Sequence, residues 1–165
     1  MPLTGKAFPR LGLVLRLAGA AVWIVAGAAK LPRLEAFREA VARYAILPDP
    51  VAAPFAYALP FLEIGLGLYL AVGLFVRGTA MVGTLLFAAF LAAQAQAWAR
   101  GIPLDCGCFG AAASSTVGIG TMLRDLALGL PTFAMLAFPS RELSLDRRLF
   151  GAEDHFSNIF RRPST

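Results

Sequence analysis

Apolar positions along the chain fall into four long runs separated by short polar stretches. The runs cover residues 11–29, 51–76, 79–98 and 117–138. A helix needs about 20 apolar residues to cross a bilayer, and each run is close to that length or longer. Because backbone polar groups must pair internally in lipid, each run predicts a transmembrane helix. The pattern predicts an all-α integral membrane protein, with a four-helix bundle over residues 1–138 and a basic cytoplasmic tail over residues 139–165.

The stretch between the first two runs has a different periodicity. Its apolar and charged positions alternate at helical spacing: Leu34, Phe37, Val41 and Tyr44 on one side, Glu35, Arg38, Glu39 and Arg43 on the other. This pattern predicts a short amphipathic helix lying in the membrane interface. Such a helix either caps the mouth of the bundle, offers a docking surface, or simply connects two spans.

Composition agrees with membrane insertion. Apolar residues make up 58% of the 165 residues and charged residues 15%, with a mean hydropathy of +0.69, whereas soluble domains are about half apolar and a quarter charged. We assign the net charge of +5 to contact with anionic lipid and expect no nucleic-acid partner. One alternative for the first run is a cleaved signal peptide ending near Ala26-Gly27-Ala28, but the run is long for one and Arg16 interrupts it.

Basic residues predict the orientation. Four spans place both termini on the side of the turn at Arg77, and this side carries eight basic residues against five on the other. The two sets are Lys6, Arg10, Arg77, Arg141, Arg147, Arg148, Arg161 and Arg162 against Lys30, Arg33, Arg38, Arg43 and Arg100. The positive-inside rule then predicts a multi-pass protein of the cell membrane with both termini in the cytoplasm and the loop between spans three and four outside.

Charged residues within the spans are expensive in lipid and need partners. Helix geometry puts Glu63 about 13 Å and Arg124 about 10 Å below the outer surface, which predicts an ion pair between them. Asp125 is expected to point elsewhere, since neighbours on a helix do not face each other. Arg16 lies about 9 Å from the cytoplasmic end, so its side chain can extend to water. Gln94 and Gln96 lie near the outer end of the third helix, so the polar groups of three helices are expected to cluster beneath the outer loop. This cluster either fixes helix register or manages protons and thiolates.

The outer loop holds the chain's two cysteines, as Cys106-Gly107-Cys108. A disulfide between them would close a tight ring, and strained disulfides tend to be the reactive ones. Asp105 disfavours a thiolate, whereas Arg100 and the start of the fourth helix favour it. A redox pair, a structural disulfide or inert thiols, and a metal site are the alternatives. We predict no metal: zinc prefers four ligands and the sole histidine is in the tail, although two thiolates also suit Cu(I).

Several segments resemble known membrane families. Residues 26–31, 44–48 and 58–67 resemble DoxX-like proteins, and with the addition of residues 104–110 and 123–125 the chain resembles the methylamine utilisation protein MauE family. The Cys-Gly-Cys-Phe-Gly stretch is the most specific part of a resemblance that covers residues 12–138. It implies a thioredoxin-like partner and a role in maturing the disulfide-rich small subunit of methylamine dehydrogenase. Membrane disulfide oxidases that pass electrons to quinone carry a second cysteine pair, which this chain lacks.

The sequence thus predicts thiol–disulfide exchange with a thioredoxin-like partner in the maturation of exported, disulfide-containing proteins. Cys106 and Cys108 would carry the exchange. Cys108 would be the attacking thiol, because the negative charge of Asp105 disfavours a thiolate at its neighbour Cys106. The supporting residues are Lys30, Glu63, Arg100, Arg124 and Asp125. One alternative is a non-enzymatic assembly or scaffold subunit, and another is a DoxX-type oxidoreductase subunit with quinone as its cofactor. No other cofactor is evident from the sequence.

Overall fold

The computed structural model describes residues 9–101 and 117–137, and these ranges form helices and no strand. The helices are α1 (Pro9–Lys30), a 3-10 turn (Leu31–Arg33), α2 (Leu34–Arg43), α3 (Asp49–Val72), α4 (Val76–Ala99) and α5 (Ile119–Ala137). α1, α3, α4 and α5 are long and apolar enough to cross a membrane, and α2 is the short amphipathic helix. The predicted four-helix membrane fold is confirmed. The tail at residues 139–165 lies outside the described residues.

The boundary between the second and third spans differs from the prediction. α3 begins at Asp49 and ends at Val72, four residues before the predicted end. Gly73 stops it by adopting a left-handed conformation, with φ 75°, which a residue without Cβ adopts at little cost. The amide N–H groups of Gly73 and Leu74 then donate to the carbonyl oxygen of Tyr69. α4 therefore starts at Val76 instead of residue 79.

α1 packs closely against α3 because glycines remove side chains at two crossing points. A Cβ on Gly27 would lie 2.6 Å from the carbonyl oxygen of Pro60. On Gly67 it would lie 2.6 Å from Ile24 and 2.8 Å from the carbonyl oxygen of Ala20. Small residues allow such backbone contact in membranes, where the hydrophobic effect does not drive helices together. This contact fixes the register of α1 against α3.

The core continues around Trp23 of α1. Its indole ring meets the ring of Phe87 on α4 edge-on, with centroids 4.8 Å apart. Its Nε1 donates a hydrogen bond of 3.2 Å to Oγ1 of Thr132 on α5. Arg16, two turns before Trp23 on α1, is also buried and only 2% exposed. Its side chain therefore does not extend to water, as its position would allow, because the bundle encloses it.

α2 is held to the first turns of α3. Glu35 accepts hydrogen bonds from Nε of Arg38, at 2.9 Å, and from the hydroxyl of Tyr57 on α3, at 2.5 Å. The opposite face of α2 turns inward, and Phe37 and Val41 line a cavity beneath it. Among the sequence-based interpretations, a cap over the bundle fits this arrangement better than a plain connection.

Candidate functional site

A buried ion pair joins α1 to α3. Lys30, the last residue of α1, donates from Nζ to both carboxylate oxygens of Glu63, at 2.8 and 2.7 Å. Its third hydrogen bond, of 3.1 Å, goes to the carbonyl oxygen of Ala26. Lys30 and Glu63 are each 1% exposed. A charge removed from water this completely is stable only when it is paired and hydrogen-bonded, and each partner meets that need for the other.

Aromatic rings enclose the ammonium group of Lys30. Its Nζ lies 5.5 Å from the ring centroid of Phe37 on α2 and 5.9 Å from that of Phe90 on α4. At these distances the negative faces of the rings attract a cation. Four helices therefore converge on one charged group, since Lys30 is on α1 and Glu63 on α3.

A second polar group joins α4 to α5. Gln94 donates from Nε2 to Oδ2 of Asp125, at 2.8 Å. Arg124 donates from Nε to Oδ1 of the same carboxylate, at 3.0 Å, and its Nη2 lies 3.0 Å from that oxygen. Asp125 is 2% exposed, so its charge also depends on these partners.

This geometry corrects the predicted pairing. Glu63 pairs with Lys30, which donates to both of its carboxylate oxygens, and does not pair with Arg124. Arg124 instead pairs with its sequence neighbour Asp125. The expectation that the side chains of Arg124 and Asp125 point in different directions was wrong. Asp125 faces inward, but the side chain of Arg124 is long enough to fold back and reach its carboxylate.

The two polar groups are close to each other. A cavity of about 20 Å³ is lined by Glu63 from the first group and by Gln94 and Asp125 from the second, with Trp23 and Phe87 completing much of the wall. That volume is sufficient for one water molecule. Within residues 9–101 and 117–137, no cluster of three or more His, Cys, Asp or Glu side chains forms a metal site.

The groups lie at the end of the bundle that leads into the cysteine-bearing connection. Gln94 is five residues before the end of α4, and Asp125 is six residues after the start of α5. Arg100 follows α4, is exposed, and donates from Nη1 to the carbonyl oxygen of Tyr44 at the end of α2, at 3.3 Å. Cys106 and Cys108 themselves lie outside the described residues.

Of the predicted supporting residues, Lys30, Glu63 and Asp125 are thus buried at this end, Arg124 is partly exposed beside them, and Arg100 is on its rim. Sequence reasoning missed Phe37 and Phe90 as neighbours of Lys30, and no local signal distinguishes them from other apolar residues. It also missed the partner of Lys30. One signal in the sequence could have identified this partner. Lys30 stands directly at the end of the first apolar run, at a depth in the membrane that Glu63 can also reach.

Comparison with known proteins gives consistent matches. The model of the family described as methylamine utilisation protein MauE matches residues 9–138. The chain is 37% identical over 123 residues to a methylamine utilization protein MauE of Methylophilus methylotrophus, covering 72% of this chain and 65% of that protein. It is 32% identical over 129 residues to the protein of that name from Methylorubrum extorquens, covering 78% and 66% of the two chains.

A third relative of the same name, from Paracoccus denitrificans, is 31% identical over 115 residues, covering 69% of this chain and 62% of that protein. The chain therefore spans about two thirds of the length of the curated relatives it matches. No solved structure matches the chain significantly.

Proposed function

The chain belongs to the methylamine utilisation protein MauE family, and from that premise we propose that it serves methylamine utilisation by exchanging disulfides at the membrane surface. Cys106 and Cys108 would be the reacting groups. A thioredoxin-like protein would be the partner, and exported proteins that need disulfides would be the final substrates. The proposal goes beyond the shared family, which establishes a membrane protein of this type and not its chemistry.

The observation that carries the proposal is the convergence of two buried polar groups at one end of the bundle. The Lys30–Glu63 pair ties the end of α1 to α3, and the Gln94–Asp125 hydrogen bond ties α4 to α5 beside it. The connection that bears both cysteines runs from α4 to α5 at that end. A dithiol that reacts with a protein partner benefits from such rigid anchorage, because its thiols must meet the partner's disulfide in a fixed geometry.

The exchange balances without a further reagent. A thiolate of the pair attacks a disulfide sulfur of the partner, forms a mixed disulfide and releases one partner thiolate. The second cysteine then attacks the mixed disulfide, which leaves Cys106 and Cys108 oxidised and the partner reduced. Two electrons move from one dithiol to the other, and the reverse sequence oxidises the partner.

The orientation follows from the same proposal. Disulfides persist outside the cytoplasm, so the connection bearing the cysteines would face outward and both termini would be cytoplasmic. α2 would then lie on the outer surface, where Arg100 at the end of α4 donates a hydrogen bond to Tyr44 at the end of α2.

Trapping tests the exchange. Replacing one cysteine with serine prevents the second attack, so Cys106→Ser should accumulate a mixed disulfide with the partner that reductant dissolves. We expect more of this adduct with Cys106→Ser than with Cys108→Ser, because Cys108 is the proposed attacking thiol. The double serine variant is the control and should form none. Growth on methylamine at the parental rate with the double serine variant would contradict the proposal.

The second candidate function is a non-enzymatic assembly subunit. It is favoured by the way Lys30 and Glu63 satisfy each other, which suits a group that only fixes helix positions. In that case the double serine variant would support growth, whereas variants that disrupt the Lys30–Glu63 pair would not.

A further inference from the structure

A larger cavity, of about 200 Å³, lies under α2, on the far side of Lys30 from the bundle core. α2 forms its roof, the start of α3 one wall and the outer half of α4 the other. Apart from Lys30, Tyr44 and Gln94, its lining residues are apolar, among them Phe37, Val41 and Phe90. The cavity exists because α1 packs on α3 and α5 packs on α4, while α3 and α4 meet over only a short length.

The interior of this cavity is apolar in effect. Lys30 is the charged group of the lining, and its three N–H groups are directed to Ala26 and to both oxygens of Glu63. Gln94 directs its amide nitrogen to Asp125. A polar head group entering the cavity would lose its hydration and would have to compete with these bonds, which disfavours it. A hydrocarbon chain has no hydration to lose on entry, and it gains van der Waals contacts with the side chains that line the cavity.

Several of the apolar residues that line the cavity are also exposed at the surface of the bundle. Ile46 is 50% exposed and Phe55 38% exposed at its edge, and Ala89 is exposed on α4. Ala89 lies well within the membrane-spanning helix Val76–Ala99. An opening lined by exposed apolar side chains at this depth admits lipid chains before water.

A basic side chain is placed near the wall. Arg100 contacts the carbonyl oxygen of Tyr44, which lines the cavity, and its guanidinium group is otherwise exposed. The position suits a phosphate at the membrane surface, because arginine binds phosphate oxygens through several N–H groups at once.

We propose that this cavity holds the end of one acyl chain of a phospholipid, whose phosphate contacts Arg100. The chain fills the gap between α3 and α4 and packs against the underside of α2. It thereby fills the space beside the buried Lys30, so that the bound lipid is a structural part of the bundle end. The proposal does not depend on the thiol chemistry of the protein.

A photoreactive lipid tests this site. The full chain is reconstituted into phosphatidylcholine vesicles that contain phosphatidylglycerol with a diazirine at the end of its acyl chain. After illumination, adducts are mapped by mass spectrometry. We expect them to concentrate at Phe55, Leu86 and Phe90 within the cavity, compared with Met81 and Leu85 on the exposed surface of α4.

Matched variants of α4 make the test specific. Ala93→Phe places a ring in the cavity and should lower the adduct yield there about tenfold. This is the loss of affinity expected when two methylene groups of the acyl chain can no longer be buried in the cavity. Ala92→Phe adds the same ring to an exposed position one residue away and should leave the yield unchanged. If Ala93→Phe does not fold, as judged by helicity and gel filtration, Ala89→Leu replaces it with the same expectation.

Two results would overturn the proposal. One is an adduct yield in the cavity no higher than at Met81 and Leu85, or no lower in the filling variants. The other is displacement of the cavity adducts by an isoprenoid quinone added at the same concentration as the photoreactive lipid. That second result would assign the cavity to a quinone instead of a phospholipid chain.

Discussion

Lys30 and Glu63 bind each other through two hydrogen bonds, of 2.8 and 2.7 Å, where the end of α1 crosses the middle of α3. Neither charge would be stable there alone, since each residue is 1% exposed. The pair therefore ties the stability of the α1–α3 crossing to two side chains that are far apart in sequence.

The first test concerns the pair itself. Lys30→Met or Glu63→Leu alone should lower the free energy of unfolding by about 3–5 kcal/mol, because each leaves one buried charge without its partner. The double variant should be close to the parent in stability, since two apolar side chains of similar size need no partner. Thermal or denaturant unfolding in detergent measures both.

Glu35→Gln is the control for charge loss as such. Glu35 is exposed and pairs with Arg38 at the surface, where ion pairs contribute little, and the amide oxygen of a glutamine there can still accept the hydrogen bond from the Tyr57 hydroxyl. We expect a small change for this variant. If the losses from Lys30→Met and Glu63→Leu simply added in the double variant, the two residues would not be coupled.

The second test separates the observed pairing from the one the sequence predicted. A double-mutant cycle between Gln94 and Asp125, with leucine at each position, should give a coupling energy of about 1.5–3 kcal/mol, the range for a hydrogen bond to a charged group. The same cycle between Glu63 and Arg124 should be additive, since the two make no contact. Significant coupling between Glu63 and Arg124 would contradict the structure.

The third test examines the close approach of α1 and α3. Gly27→Ala and Gly67→Ala should each lower stability by about 1–3 kcal/mol, because the added Cβ overlaps backbone atoms of the opposite helix. Gly65→Ala on the same helix as Gly67 is the matched control, since nothing lies within 4 Å of its Cβ position. Equal losses at Gly65 and Gly67 would mean that close packing is not the cause.

The fourth test concerns orientation. In reduced, intact cells a membrane-impermeant thiol reagent should label Cys106 or Cys108, because the proposed topology places them outside. Gly78→Cys in a background without the native cysteines should be labelled only after lysis. Gly78 suits this control because it is exposed, lies at the start of α4 near the opposite end of the bundle, and has open space around its Cβ position. The reverse labelling pattern would invert the topology.

Much of the fold could be predicted from the sequence because it depends on local properties. The length of an apolar run decides whether a helix can span the bilayer, and the spacing of Phe37, Val41 and Tyr44 decides that α2 is amphipathic. The polar residues near the end of the spans that leads into the cysteine-bearing connection were likewise visible, since a charge or an amide within an apolar run stands out. The end of α3 at Gly73 could not be predicted from the sequence. Glycine is frequent in these spans, and only the left-handed backbone conformation of Gly73 distinguishes it from the glycines that continue a helix.

The sequence by itself determined that Glu63 needs a cationic partner, and only the tertiary structure decided that the partner is Lys30. Depth along a helix restricts the choice but does not decide it, since Arg124 lies at a similar depth on another helix. The choice depends on which helix lies against α3 and in which register. Gly27 and Gly67 allow α1 to approach α3 closely, and that contact brings Nζ of Lys30 within 2.8 Å of the carboxylate. The strength of a hydrogen bond depends on differences of tenths of an ångström in distance. The partner of Glu63 is therefore decided only when the backbones of α1 and α3 have packed against each other.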